Sequence, residues 1–385
     1  MAVLVEDSPR NNLASWASET QGVEPGLIDG VVLSPFATPV VGNSYKQSAA
    51  QTVDRLHDAG LDVWLDPGTH AHGMPGVGDF RYYDGWDLWG GTSGDLSSRA
   101  TQRDHVSRVL EAAARLQVKP IAPSVLLTSA TGANSVLAAS LAEEALRMEP
   151  EAWLTVAGSP AFWADGTDLD AFVGVLAQMN PQGACLVVVR PTADMPPAIH
   201  PSEVAGICRT ARSLEQFGHV HVSHGDYLGL PAVAAGAASV GSGWDIRQRV
   251  CNYTSYVARD PNATGGGWLK RPSFAGLFGT IGRGDAERLE RQSVTLSRRL
   301  HPGPLHPDAP KEAFVHHLAN LKNLIDALVD LDFEPAYRHL DELYDRASID
   351  WPAAAAAADI DSLASHWIDP LRTGLRAYGH DEGWV

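Results

Sequence analysis

Between residues 30 and 243 the chain alternates seven times between a short apolar run and a polar loop with an amphipathic stretch. The runs are GVVLSPF (30–36), LDVWLD (61–66), KPIAPSVLL (119–127), AWLTVAG (152–158), ACLVVVR (184–190), HVHVS (219–223) and AASVGSG (237–243), and SFAGLFGTI (273–281) is a weaker eighth. The stretches between them, such as SAAQTVDRLHDAG and PSEVAGICRTARSLEQFG, have helical spacing and end at glycine, a common helix stop. Continuous apolar strands alternating with helices are buried on both faces and pair in parallel. Seven or eight such units over about 250 residues predict a (β/α)8 TIM barrel, with an open doubly wound sheet as second choice. No G-x-G-x-x-G follows the early runs, which argues against dinucleotide binding.

From about Asp285 the pattern is helical alone, in AERLERQSVTLSRRL, KEAFVHHLANLKNLIDALVDL, PAYRHLDELYDRA and the alanine run at 352–358. Alanine is the strongest helix former. The expected organisation is a barrel over residues 1–284 and a helical extension packed on it over 285–385.

The 385 residues carry a net charge of −17, which disfavours non-specific coating of nucleic acid. Three cysteines, Cys185, Cys208 and Cys251, stand far apart with no C-x-x-C. That argues against a disulfide framework or a cysteine zinc site and fits a reducing compartment. No apolar run reaches the ~18 residues of a membrane span, and MAVLVEDSPRNN lacks a basic region followed by a long apolar run. The expectation is a cytoplasmic protein with no membrane contact.

Barrel chemistry sits at the carboxyl ends of the strands. The apolar runs there end in Asp66, Ser159, Arg190, His224-Gly225-Asp226 and Gly241-Ser242-Gly243-Trp244-Asp245. Asp66, Asp226 and Asp245 are candidate bases, nucleophiles or ligand acceptors; each could equally cap a following turn. His224 joins them. Gly241, Ser242 and Gly243 offer backbone N–H groups that can cradle an anion. From Trp244 to Arg283 six basic residues outnumber two acids. Arg247, Arg249, Lys270 and Arg271 are thus candidate phosphate ligands, or partners of surface acids. The glycine-rich loop 73–98 holds Tyr83 and Trp86, which either close over a flat ligand or anchor the loop on the rim. His70-Ala71-His72 could place two imidazoles on one metal with His224 and Asp245.

Three stretches give the chain a resemblance to the tRNA-guanine (queuine) transglycosylases and their DNA-modifying relatives. LDPGTH, with Asp66, resembles that family's D-S-G segment; AVAAGAASVGS resembles the A-x-x-x-G-x-D-x-F-D segment that carries its nucleophile; VHHLANLKNLIDALVDL resembles a late helix whose histidine binds zinc, matched by His316 or His317. The resemblance implies a (β/α)8 barrel that exchanges guanine for a 7-deazaguanine through a glycosyl-aspartate. It also implies that Asp66 serves the base site. The nucleophile position is Gly241, the earlier family aspartate falls on Ala238, and the zinc cysteines are missing. No metal and no cofactor are therefore expected, and Asp245 is the nearest substitute nucleophile.

The sequence reading is an enzyme acting on a purine-like base, free or within a nucleic acid. Asp66 holds the base, Asp226 or Asp245 handles protons or the ribosyl carbon, and the arginines hold phosphate. Two alternatives stand beside it: a metal-dependent hydrolase built on His70, His72, His224 and Asp245, and a non-catalytic barrel that binds a protein partner through its acidic surface and late helices.

Overall fold

The computed structural model describes residues 2–8, 13–258, 271–301, 309–360 and 365–385. Eight parallel strands form the core: β1 (Val3–Glu6), β2 (Gly30–Leu33), β3 (Asp62–Leu65), β4 (Lys119–Pro120), β5 (Leu154–Gly158), β6 (Gly183–Arg190), β7 (His219–Ser223) and β8 (Ser239–Ser242). They are ordered β4-β3-β2-β1-β8-β7-β6-β5. Parallel bridges Ile121–Trp153 and Leu127–Gly158 join the two ends of that order. Proline removes a ladder donor, so Pro120 and Pro123 keep β4 to two residues. The ring is a (β/α)8 barrel, as the run pattern predicts.

One strand corrects the sequence reading. The N-terminal VLVE is β1, pairing with β2 and with β8. The segment 273–281 is instead a small antiparallel hairpin, Ser273–Phe274 with Gly279–Thr280, off the barrel. Four residues are enough because strand side chains alternate between faces. Val3 and Val5 pack outward against the helices, while Leu4 belongs to the cluster inside the ring.

The interior is divided. Leu4, Val32, Trp64, Ile121, Trp153, Ala157 and Val187 make an apolar filling. On the β7-β8-β1 side it is polar. His219 Nε2 and His221 Nδ1 both meet Ser239 Oγ, at 2.7 and 2.9 Å, and His221 Nε2 lies 3.3 Å from Glu6 Oε1. His219 stacks on Trp153, ring centres 4.8 Å apart, toward the amino end of the barrel.

Beyond the hairpin the described elements are helices, chiefly Arg283–Gln292, Pro310–Val329, Phe333–Ala358 and Ile368–Asp381. Ile368–Asp381 packs along the barrel helix Pro201–Leu214. Gly374 sits against the Pro201 carbonyl and Val204, where a Cβ would come within 2.4 Å. Among the described residues no helix is long and apolar enough to cross a membrane.

Candidate functional site: the mouth of the barrel

The last residue of β1 is Glu6. Its Oε1 accepts from Ser223 Oγ (2.8 Å), from the His224 backbone N–H (3.0 Å) and from His221 Nε2 (3.3 Å). Oε2 faces His224 Nε2 at 3.9 Å. Burial alone would raise the pKa of this carboxyl, but the charge of His224 and the His221 and Ser223 hydrogen bonds outweigh it and hold the pKa at about 2. Glu6 is therefore a buried carboxylate at any neutral pH.

Gly241 explains how it fits. A Cβ at this position would lie 2.0 Å from Glu6 Oε1 and 2.8 Å from the His224 nitrogen. The space beside this β8 glycine is thus filled by the β1 carboxylate. At Gly243 the same space is filled by the Gln248 amide, 2.3 Å from an added Cβ. Gln248 Oε1 also accepts from the N–H groups of Trp244 (2.6 Å) and Asp245 (2.9 Å), and its Nε2 donates to the Glu6 carbonyl (2.5 Å). The expected anion cradle over Gly241, Ser242 and Gly243 is corrected accordingly. The protein's own side chains fill it, and Ser242 Oγ donates to Asp226 (3.0 Å).

Asp66, at the end of β3, accepts the Gly68 N–H on Oδ1 (2.8 Å), an Asx turn that positions Gly68 at φ +61°. The turn-stabilising reading of Asp66 is thus realised on one oxygen. Asp66 also lines a cleft of about 40 Å³ with Glu6, Asp7, Phe36, His224, Arg247 and Tyr256. Barrel topology predicts that Asp66, His224 and Asp245 open into one cavity; Asp66 and His224 do so here, and Asp245 is the exception. Asp245 does not line it; its carboxylate accepts from Ser8 Oγ (2.9 Å) and from the Arg247 N–H (2.8 Å).

The cleft is roofed by two segments held together. The backbone N–H groups of Gly78 and Asp79 both donate to the Tyr256 carbonyl (2.9 and 3.0 Å), and Val77 bridges Val257. A cleft this small holds a water or two, so larger molecules enter only when the two segments part. Beneath the roof, Asp7 accepts from Thr38 Oγ1 (2.7 Å) with Lys46 Nζ 3.9 Å away. Burial raises its pKa against the pull of Lys46.

Other predicted residues lie elsewhere. Tyr83 and Trp86 are buried: the Tyr83 hydroxyl accepts from Trp89 Nε1 (3.1 Å), and Trp86 Nε1 donates to the Thr38 carbonyl (2.9 Å). They anchor the loop on the rim. His70 and His72 do not form a metal quartet with His224 and Asp245, for among the described residues no group of three or more His, Cys, Asp or Glu side chains is placed to hold a metal ion. His70 is buried against Cys251 Sγ at 3.9 Å, and His72 stacks on Phe80. Burial lowers the pKa of His70, and that of His72 to about 4. His316 sits against His301 (2.9 Å), and His317 against Asp226 (2.7 Å).

The four candidate cations are also divided. Arg247 lines the mouth; Arg249 and Arg271 line a second cavity, of about 690 Å³, between the barrel and the C-terminal helices. Lys270 lies outside the described residues. The turn after β7 is divided between the same two cavities. His224 and Asp226, both in the left-handed region (φ +51° and +46°), flank Gly225. Such backbone costs on the order of 1–3 kcal/mol per residue and clusters at functional sites. It sends His224 to the mouth and Asp226 to the larger cavity.

Glu6 is the residue that sequence reasoning missed. Its signal was VLVE, an alternating run ending in an acid at the start of the chain.

No protein-family model and no curated protein matches the chain. Among solved structures it is similar to a psychrophilic glycoside hydrolase family 10 endo-β-1,4-xylanase, with 9% identity over 67% of this chain and 94% of that one and a TM-score of 0.37. A thermostable mutant of a xylanase from Cellvibrio japonicus is 12% identical over 80% and 83%, with a TM-score of 0.35. Eubacterium rectale Amy13B is 9% identical over 84% and 79%, with a TM-score of 0.38. No substrate follows from likenesses of this size.

Proposed function

We propose that the chain is an enzyme of glycosyl transfer that removes or exchanges a purine-like base at a ribosyl carbon, with its reaction at the barrel mouth. The observation that carries this reading is the carboxylate of Glu6 in the space beside Gly241. In the resemblance to the transglycosylases, Gly241 stands where the nucleophile belongs. A carboxylate supplied from β1 takes that place, so the role first given to Asp245 passes to Glu6.

In this reading the base lies against Phe36 and Tyr256, and Asp66 accepts its exocyclic amine. Glu6 Oε2, the oxygen with fewer partners, attacks the ribosyl carbon as the bond to the base nitrogen breaks. The base leaves with that bond's electron pair and takes a proton from His224. Glu6 and the sugar are then joined as an ester. An incoming base or water attacks the same carbon, its proton passes to His224, and Glu6 leaves as carboxylate. Two displacements retain the sugar's configuration. A low pKa makes Glu6 a good leaving group in the second step.

The test is incorporation of isotope-labelled guanine, or of a 7-deazaguanine, into RNA, DNA and free nucleosides. The reading expects exchange or base release with at least one of these, reduced about 100-fold or more by Asp66→Asn. No turnover on any of them by the folded protein would end it.

A further inference from the structure

We propose that the 690 Å³ cavity between the barrel and the C-terminal helices is a second binding site, for a nucleoside monophosphate or a ligand of that chemistry: a phosphate on a flat, hydrogen-bonding ring. It does not rest on the reading of the mouth. The volume falls within the range of about 300–1,000 Å³ that small ligands occupy.

The charge pattern comes first. The chain is strongly acidic, and most of its described arginines are paired with carboxylates, as Arg190 is with Glu203 and Arg209 with Asp170. Arg249 and Arg271 are different. Among the described residues no carboxylate lies within ion-pair distance of either, yet both line this cavity. Among the described residues Arg249 bonds only through Nε, to the Gly243 carbonyl (3.0 Å), and its two terminal nitrogens make no bond there. Two guanidinium groups match the double charge of a phosphate monoester and can grip it through paired hydrogen bonds.

Of the three acids in the lining, only Asp285 is paired with a cation among the described residues. Asp285 is held by Arg288, and Asp194 accepts from Thr192 Oγ1 at 2.7 Å. Asp226 takes both its hydrogen bonds, from Ser242 and His317, on Oδ1. Among the described residues Oδ2 carries none, and the residue lines the cavity. Burial would raise its pKa, but the charges of His317 and Arg249 prevail and lower it. The cavity thus offers an ionised acceptor beside two donors, suited to a ring that carries N–H groups.

The walls fit the ring. Phe278, Trp351 and Trp367 line the cavity, and Gly279 lies between the two indole edges, 3.5 and 3.6 Å from an added Cβ. The Trp351 N–H is taken by the Leu277 carbonyl (2.9 Å), whereas the N–H of Trp367, a residue only 2% exposed, has no acceptor among the described residues.

The experiment is calorimetric titration of the full chain with GMP, AMP, guanosine, inorganic phosphate and a short oligonucleotide. One of the monophosphates should bind best, with guanosine weaker by about tenfold or more. Arg271→Ala removes an exposed side chain that makes no bond within the described protein, and should weaken the monophosphate by about tenfold with a flatter salt dependence. Arg249→Lys should do the same while keeping a charge on the turn. Glu6→Gln should leave this binding unchanged, which separates the proposal from the reading of the mouth. The proposal is overturned if no monophosphate binds, if both arginine changes leave affinity intact, if Glu6→Gln abolishes binding, or if the oligonucleotide binds more tightly than the monophosphate.

Discussion

The barrel mouth and the cavity behind it share one turn and differ in almost everything else. The mouth is small, about 40 Å³, and crowded with carboxylates from three segments: Glu6 and Asp7 at the end of β1, Asp66 after β3, and Asp79. The rear cavity is about 690 Å³, largely walled by apolar side chains, and holds two arginines without a carboxylate partner among the described residues. One His-Gly-Asp turn feeds both, His224 forward and Asp226 back. The difference teaches that size and chemistry separate in this molecule. The roomy site is built to hold an anion. The cramped one is built to keep a carboxylate ionised beside a histidine, which is what bond-making needs.

The largest expected effect breaks the comparison if it fails. Glu6→Gln should lower base exchange or release by about 1,000-fold or more, with substrate affinity nearly kept. Asp226→Asn should leave turnover at the mouth within a few-fold. Equal losses in the two variants would mean that the two cavities are one site.

Next comes the roof. Val77 and Val257 face one another as an antiparallel bridge, a geometry that a disulfide can span. The pair Val77→Cys, Val257→Cys should lose about 100-fold in activity when oxidised and recover on reduction, while binding at the rear cavity stays constant. Full activity in the oxidised form would show that the mouth admits substrate without opening there.

Only part of this was legible in the sequence. The seven runs carried the barrel because buried parallel strands are continuous and apolar. β1 is missed because four residues are too few for an apolar period to stand out. SFAGLFGTI looked like a strand because it is apolar, yet its polar Ser273 faces the rear layer, bonding His317 Nδ1 at 3.0 Å and the Tyr227 hydroxyl at 2.6 Å. Asp66 and His224 were found by position alone, since a barrel gathers its strand ends. Gly241 could be seen as a missing side chain, but a glycine does not say who fills the gap. Register does: Leu4 pairs with Gly241, which sets the next inward residue of β1 over it. Tyr83 and Trp86 carry no mark in sequence that separates a lid from an anchor; only their burial decides.

Acid should expose the same contrast. Glu6 is held at about 2 against its usual 4.5, so its contribution is present above pH 4.5 and lost as the pH falls toward 2. It amounts to on the order of 3 kcal/mol. His105 is buried uncharged beneath Trp89, its pKa lowered by burial from 6.5 to about 4, so its share is lost between those values. Denaturant unfolding from pH 7 to pH 3 should show stability falling throughout. In Glu6→Gln the fall below pH 4.5 should be shallower, and an unchanged slope there would deny that Glu6 is ionised in the fold. The smallest effect is Tyr83→Phe, which removes the acceptor of the Trp89 N–H. It should cost about 1 kcal/mol of stability and no activity; a lost turnover would return the loop to the site.

The claim that Glu6 stands in for a side chain at position 241 has one direct test. Base exchange is measured for Glu6→Ala and for the double variant Glu6→Ala, Gly241→Asp, which returns a carboxylate to the vacated space from β8 instead of β1. The account predicts that Glu6→Ala is inactive and that the double variant recovers a tenth or more of the wild-type rate, an estimate of about 1.4 kcal/mol in barrier. A folded double variant as inactive as Glu6→Ala, or a Glu6→Ala protein as active as the wild type, would contradict it.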